Sequence, residues 1–118
     1  MADSPLLVKS KAFALEVIKA CNEIKKAKHE SVLVNQFLRS GTSIGANIRE
    51  AFYGHGKADF IAKLQIALKE CYETEYWLEL FVKSDLLDRD IAMKVYTDCG
   101  TIRRMLISSV NTAKENSK

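Results

Sequence analysis

The side chains with most chemistry to offer are four glutamates, Glu70, Glu73, Glu75 and Glu79, clustered in one stretch of the chain. Carboxylates three or four residues apart share a helix face, and inside a bundle such a row could hold a pair of metal ions. Di-iron bundles complete that site with Glu-x-x-His on their helices, whereas the only histidines here, His29 and His55, fall at helix ends or in loops. No metal site and no cofactor is therefore expected. The stretch Ser40-Gly41-Thr42-Ser43-Ile44-Gly45-Ala46-Asn47 lacks both the lysine of a phosphate loop and a preceding strand, so its small residues read as packing positions. No serine, cysteine or lysine stands in a nucleophile-elbow pattern or beside a histidine in a helix interior, and catalysis is not expected. Glu75 is distinctive because its helical angle turns it toward the apolar side, where a carboxylate must find a donor or take up a proton. Arg39 or Arg49 of the preceding helix is its expected partner, and Arg39, Arg49, Glu70 and Glu75 are read as structural ion-pair residues.

What must position these groups is helical. The single proline is Pro5 and the glycines are Gly41, Gly45, Gly54, Gly56 and Gly100, which leaves long stretches without a breaker. Apolar residues recur every three or four positions from Leu7 to Ala113, and the alternation of a half-buried strand is missing. The first helix, about 6–28, opens after Ser4-Pro5 and carries Leu6, Phe13, Val17, Cys21 and Ile24. The second, about 31–54, carries Leu33, Phe37, Ile44, Ile48 and Phe52 and stops at Gly54-His55-Gly56. The third, about 58–84, carries Phe60, Leu64, Ala67, Cys71, Leu78 and Val82. The fourth, about 88–114, starts on the N-cap Asp88 and carries Ile91, Val95, Ile102, Leu106 and Ala113, with a frayed tail from Lys114 to Lys118. Four such helices joined by short connections fit one all-α domain over 1–118, an antiparallel up-down-up-down four-helix bundle.

The third helix has more apolar surface than a bundle core uses. Opposite its core stripe lie Ala62, Ile66, Lys69, Glu73, Tyr76, Trp77 and Leu80, and an aromatic patch of this kind marks a contact surface. Self-association is expected, with Ile66, Glu73, Tyr76, Trp77 and Leu80 at the interface. The fourth helix shows a weaker second face at Met93, Tyr96, Gly100 and Ile107, where Gly100 would admit a neighbouring helix.

The net charge is only +3, from 18 Lys and Arg against 15 Asp and Glu, which permits polyanion binding without requiring it. The surplus lies early: residues 1–30 hold six lysines against four acids, while residues 57–85 hold four lysines against six acids. Lys11, Lys19 and Lys26 on the outer side of the first helix, with Arg103 and Arg104 of the fourth, are the candidates for RNA or DNA backbone phosphates. No segment has the apolar length of a signal peptide core or a membrane span, and Cys21, Cys71 and Cys99 are an odd set in separate helices. A cytoplasmic protein with free, buried thiols and no membrane partner is expected.

The run Leu38-Arg39-Ser40-Gly41-Thr42-Ser43-Ile44-Gly45-Ala46-Asn47-Ile48-Arg49-Glu50-Ala51 continues in Asp59-Phe60-Ile61, Ile66-Ala67-Leu68-Lys69-Glu70 and Glu73-Thr74-Glu75-Tyr76-Trp77-Leu78. These residues resemble the bacterial four-helix bundle proteins encoded in intervening sequences of 23S rRNA genes. The resemblance implies a non-enzymatic antiparallel bundle assembled as a ring, commonly a homopentamer. A similar bundle is the accessory variability protein of diversity-generating retroelements, a basic pentamer that binds nucleic acid and a reverse transcriptase. Two functions follow as expectations: a ring that binds RNA or DNA through backbone phosphates, or a scaffold that displays a surface to a protein partner.

Overall fold

A computed structural model of the chain describes residues 4–28 and 30–116. Four helices follow in order: α1, Pro5–Lys28; α2, Val32–Phe52; α3, Gly56–Lys83; and α4, Arg89–Glu115. Helix α1 packs on α2 and α4, and α3 packs on α2 and α4, with no diagonal pair in contact among the described residues. Side chains that meet across each seam set the direction of the helices. Cys21 faces Val34 while Ser10 faces Gly45 across α1 and α2, and Phe37 stacks on Phe81 while Phe52 stacks on Phe60 across α2 and α3. Partner numbers fall on one helix as they rise on the next. Tyr96 meets Glu79 while Asn116 meets Lys57 across α3 and α4, so consecutive helices run antiparallel in a bundle 50 × 24 × 23 Å in extent.

The ends of the helices have local causes. Ser4 accepts from the Leu6 amide at 3.2 Å, and Asp88 accepts from the Asp90 and Ile91 amides at 3.1 and 3.3 Å, which satisfies first-turn donors that have no partner within the helix. At α2, Ser31 makes no such bond, and Glu30 Oε1 takes the Leu33 amide at 2.8 Å instead. Helix α2 ends two residues earlier than its glycines suggest, and α3 begins at Gly56, whose φ of +80° a side chain would strain. His29, placed at the end of the first helix by sequence, lies outside the described residues, as do Ser117 and Lys118 of the tail; α4 itself runs on through Lys114 and Glu115.

The core is one cluster fed by all four helices, with Phe13, Phe37, Phe81, Ile44, Ile48, Leu64, Leu78, Ile102 and Leu106 almost fully enclosed. Three stripe residues expected inside are exposed: Leu33, Phe52 and Ile91 lie in terminal turns, where the neighbouring helices cover them only in part. Val34, Ala51 and Phe81 are buried instead. Small residues let α1 and α2 approach. A Cβ on Gly41 would stand 2.8 Å from Val17 Cγ2, and one on Gly45 would stand 3.3 Å from the Ser10 carbonyl oxygen. The rows of glycines and serines in α2 are therefore a packing device, at a cost in helix propensity.

Candidate interaction surfaces

Polar groups inside and beside the core are paired, and the pairs show which residues are free to meet a partner. Among the described residues no buried side-chain nitrogen or oxygen lacks a hydrogen-bond partner. The hydroxyls of Ser40 and Thr74 lie 2.9 Å apart across α2 and α3, with the Phe37 and Glu70 carbonyl oxygens as further acceptors. Two hydroxyl protons thus have acceptors without leaving the core.

Glu75 is 6% exposed, and its partner is Arg103 of α4, whose Nε–H donates to Oε2 at 2.9 Å. This corrects the expected pairing with a helix-two arginine. The Arg103 guanidinium also lies over the Tyr72 ring, 5.5 Å from its centroid, and the bond to Glu75 is the largest cause raising its affinity for its proton. Arg103 is accordingly withdrawn from the phosphate-binding candidates, because turning it outward would strand a buried carboxylate. Its neighbour Arg104 is exposed, and its Nη2 donates to Thr101 Oγ1 at 3.4 Å. At Gly100 the two arginines lie close, their guanidinium nitrogens 3.3 and 3.5 Å from where a Cβ would stand.

On the opposite flank of α3, Arg39 Nη1 lies 3.3 Å from Glu70 Oε2 while Nη2 donates to Glu73. The Trp77 indole N–H donates to the same Glu73 oxygen at 3.1 Å. Burial pushes the Glu73 carboxyl up, but the bonds from Trp77 and Arg39 outweigh it and hold the group below its ordinary value. Among the described residues Arg49 makes no carboxylate pair; it lies 5.9 Å from the Tyr53 ring centroid. Trp77 is half-buried against the core, and Leu80 is also half-buried, while Ile66, Tyr72 and Tyr76 are 42%, 52% and 54% exposed. The second face of α3 is therefore narrower than its sequence suggests, with Tyr72 joining it at the edge and Trp77 turned inward.

The candidate cations of α1 split in two. Lys19 and Lys26 lie seven residues apart on one exposed ridge, about 10 Å along the axis, whereas Lys11 is turned about 80° toward α2. There Lys11 lines an open groove of about 710 Å³ between α1 and α2, with Val8, Ala12, Leu15, Ala46, Arg49 and Tyr53 among its walls. The spacing of apolar residues does not announce this groove: Val8 and Leu15 stand outside the core stripe of α1. Across α1 and α4, Lys94 Nζ bridges Glu16 at 2.7 Å and Asp98 at 2.8 Å. Among the described residues, no group of three or more His, Cys, Asp or Glu side chains is placed to hold a metal ion. Burial pushes the Cys21 thiol up to about 11, and the neighbouring Cys71 thiol and then burial push Cys99 up as well. All three cysteines are buried and free. No helix is long and apolar enough to cross a membrane among the described residues.

Two comparisons with known proteins bear on this arrangement. The sequence model of a family described as 23S rRNA-intervening sequence protein matches residues 3–108. A crystal structure of a protein of unknown function from the S23 ribosomal protein family of Bacteroides thetaiotaomicron is 44% identical, with a TM-score of 0.87 over 89% of this chain and 97% of that one. No curated protein matches the chain.

Proposed function

Because this chain belongs to the 23S rRNA-intervening sequence protein family, we propose that it works without catalysis, as a ring-forming bundle that holds RNA or DNA by its backbone phosphates. The carrying observation is the charge of α1, which holds six lysines against Glu16 and Glu23 and exposes Lys19 and Lys26 on a single ridge. Phosphate contacts need positioned positive charge and no base-reading geometry, and a ring repeats the ridge in every copy. Arg104 is exposed on α4 and Lys11 lines the α1/α2 groove, so both are candidates apart from the ridge of Lys19 and Lys26. The assembly proposed is of five copies, on the resemblance to ring-forming bundles. Five chains at +3 carry +15 in all, enough to draw a polyanion that one copy holds poorly.

Fluorescence anisotropy of a labelled single-stranded RNA and a DNA duplex, at low and near-physiological salt, tests the reading. Binding that weakens steeply with salt and is lost in Lys19→Glu/Lys26→Glu supports it; an assembled ring that binds neither nucleic acid at low salt refutes it. A protein partner is the second reading. It is favoured by the apolar groove between α3 and α4, walled by Leu78, Val82, Ala92, Met93 and Tyr96, in which Met93 is half exposed.

A further inference from the structure

The groove between α1 and α2 is apolar, cationic and aromatic at once. Val8 and Leu15 among its walls are exposed, and Tyr53 is 69% exposed. Small side chains, Ala12 and Ala46, leave room between the helices, and the volume of about 710 Å³ is that of a small-ligand site. Among the described residues its walls include Lys11 and Arg49 and no carboxylate, and neither cation is held in an ion pair. The Arg49 guanidinium lies over the Tyr53 ring, and most of that ring remains open to solvent. A phosphate alone would use the two cations and leave Val8 and Leu15 without a purpose. A purely apolar partner would leave the cations without one. A nucleotide of an unpaired strand uses both, because its base has a flat apolar face and its phosphate a negative charge. An acidic protein helix would use both as well, but an exposed ring beside an arginine is the arrangement on which a base stacks.

We infer that this groove takes an unpaired base of a single-stranded RNA or DNA, stacked on Tyr53, with the flanking phosphates on Lys11 and Arg49. The inference rests on the polyanion reading above and deepens it, from any phosphate backbone to a strand whose bases are free. Lys11 precedes Lys19 by eight residues, about 12 Å along α1, so one strand can lay a base in the groove and further phosphates on the ridge of Lys19 and Lys26. The bases of a duplex are paired and stacked on one another, and taking one out costs energy, so a duplex engages the ridge alone.

Two labelled probes separate base from phosphate: a short unstructured single-stranded DNA, and an abasic strand with the same number of phosphates. Fluorescence anisotropy at one fixed salt concentration gives the ratio of the two affinities for the wild type and for two exposed groove substitutions. Tyr53→Ala removes the platform, and Ala46→Leu fills the groove; neither changes the charge. Loss of fold or of assembly would lower both affinities alike, so the ratio reads the groove alone. One stacked base accounts for a factor of about ten, and the wild type should prefer the base-bearing strand by that factor or more. Each substitution should bring the ratio close to one by weakening the base-bearing strand and sparing the abasic one. A wild-type ratio of one, which a groove kept for an acidic protein helix would also give, overturns the base site and leaves the phosphate ridge standing. A ratio that survives both substitutions overturns the placement of the base in this groove. Binding of neither strand at low salt overturns the polyanion reading as well.

Discussion

Replacing Arg103 with methionine removes the donor that holds Glu75 inside the bundle. A hydrogen bond to a charged group contributes about 1.5–3 kcal/mol, and the stacking of the guanidinium on Tyr72 adds about 0.5–1 kcal/mol. Breaking a fully buried pair from one end costs about 3–5 kcal/mol, since the remaining charge is left without a partner. The Glu75 side chain is 7% exposed but Arg103 is 25% exposed, and water reaching the guanidinium screens part of the loss, which places the expected cost at about 3 kcal/mol. For a domain of this length that is a fall of about 12 °C in Tm. Urea unfolding followed by circular dichroism measures it, at one fixed protein concentration because self-association adds to apparent stability. Replacing both ends, as Glu75→Leu/Arg103→Met, removes the stranded charge and should recover most of the loss. An Arg103→Met cost below about 1 kcal/mol, or a double variant no more stable than the single, would refute the account of a carboxylate kept in the core by this arginine.

Gly41→Ala gains about 1 kcal/mol of helix propensity but drives a methyl within 2.8 Å of Val17, so chemical denaturation should show a net loss of about 1 kcal/mol, relieved when Val17 is also alanine. Glu73 is held below the ordinary carboxylate range, so its bonds to Trp77 and Arg39 stabilise the fold at neutral pH and are lost as pH falls through that lowered value. Fluorescence of the single tryptophan should therefore change at a pH below the ordinary glutamate range, and Glu73→Gln should remove that transition. The three thiols are buried, with Cys21 and Cys99 pushed up, and an aromatic disulfide reagent should label none of them quickly in the native protein and all three in guanidinium.

The bundle was legible because its signals are local. A period of three to four, a capping Asp88 and the glycines around His55 place four helices to within two residues of their ends. The antiparallel order then follows from short connections. What periodicity could not supply was the choice of partner among helices. Glu75 points to the core side of α3 from either neighbour's point of view, and only the packing of α4 beside it selects Arg103 over Arg39. Trp77 is half-buried for a related reason: its angle is outward, yet its N–H is held by Glu73 while its ring keeps an edge contact with exposed Tyr76. Leu33, Phe52 and Ile91 show that a stripe continues in sequence past the point where neighbouring helices still cover it fully. The α1/α2 groove was illegible because it is made by two helices at once, and neither Val8 nor Ala46 is unusual on its own helix.

The central claim is that α1 presents a phosphate-binding ridge in an assembled ring. Its most direct test is the salt dependence of single-stranded RNA affinity, measured for the wild type and Lys19→Glu/Lys26→Glu with the assembled mass confirmed in the same buffer. Each phosphate contact contributes about −0.7 to the slope of log affinity against log salt on a single strand. The account predicts a steep wild-type slope that flattens in the variant while the ring persists. A slope and an affinity unchanged by the substitution, in an intact ring, would contradict it.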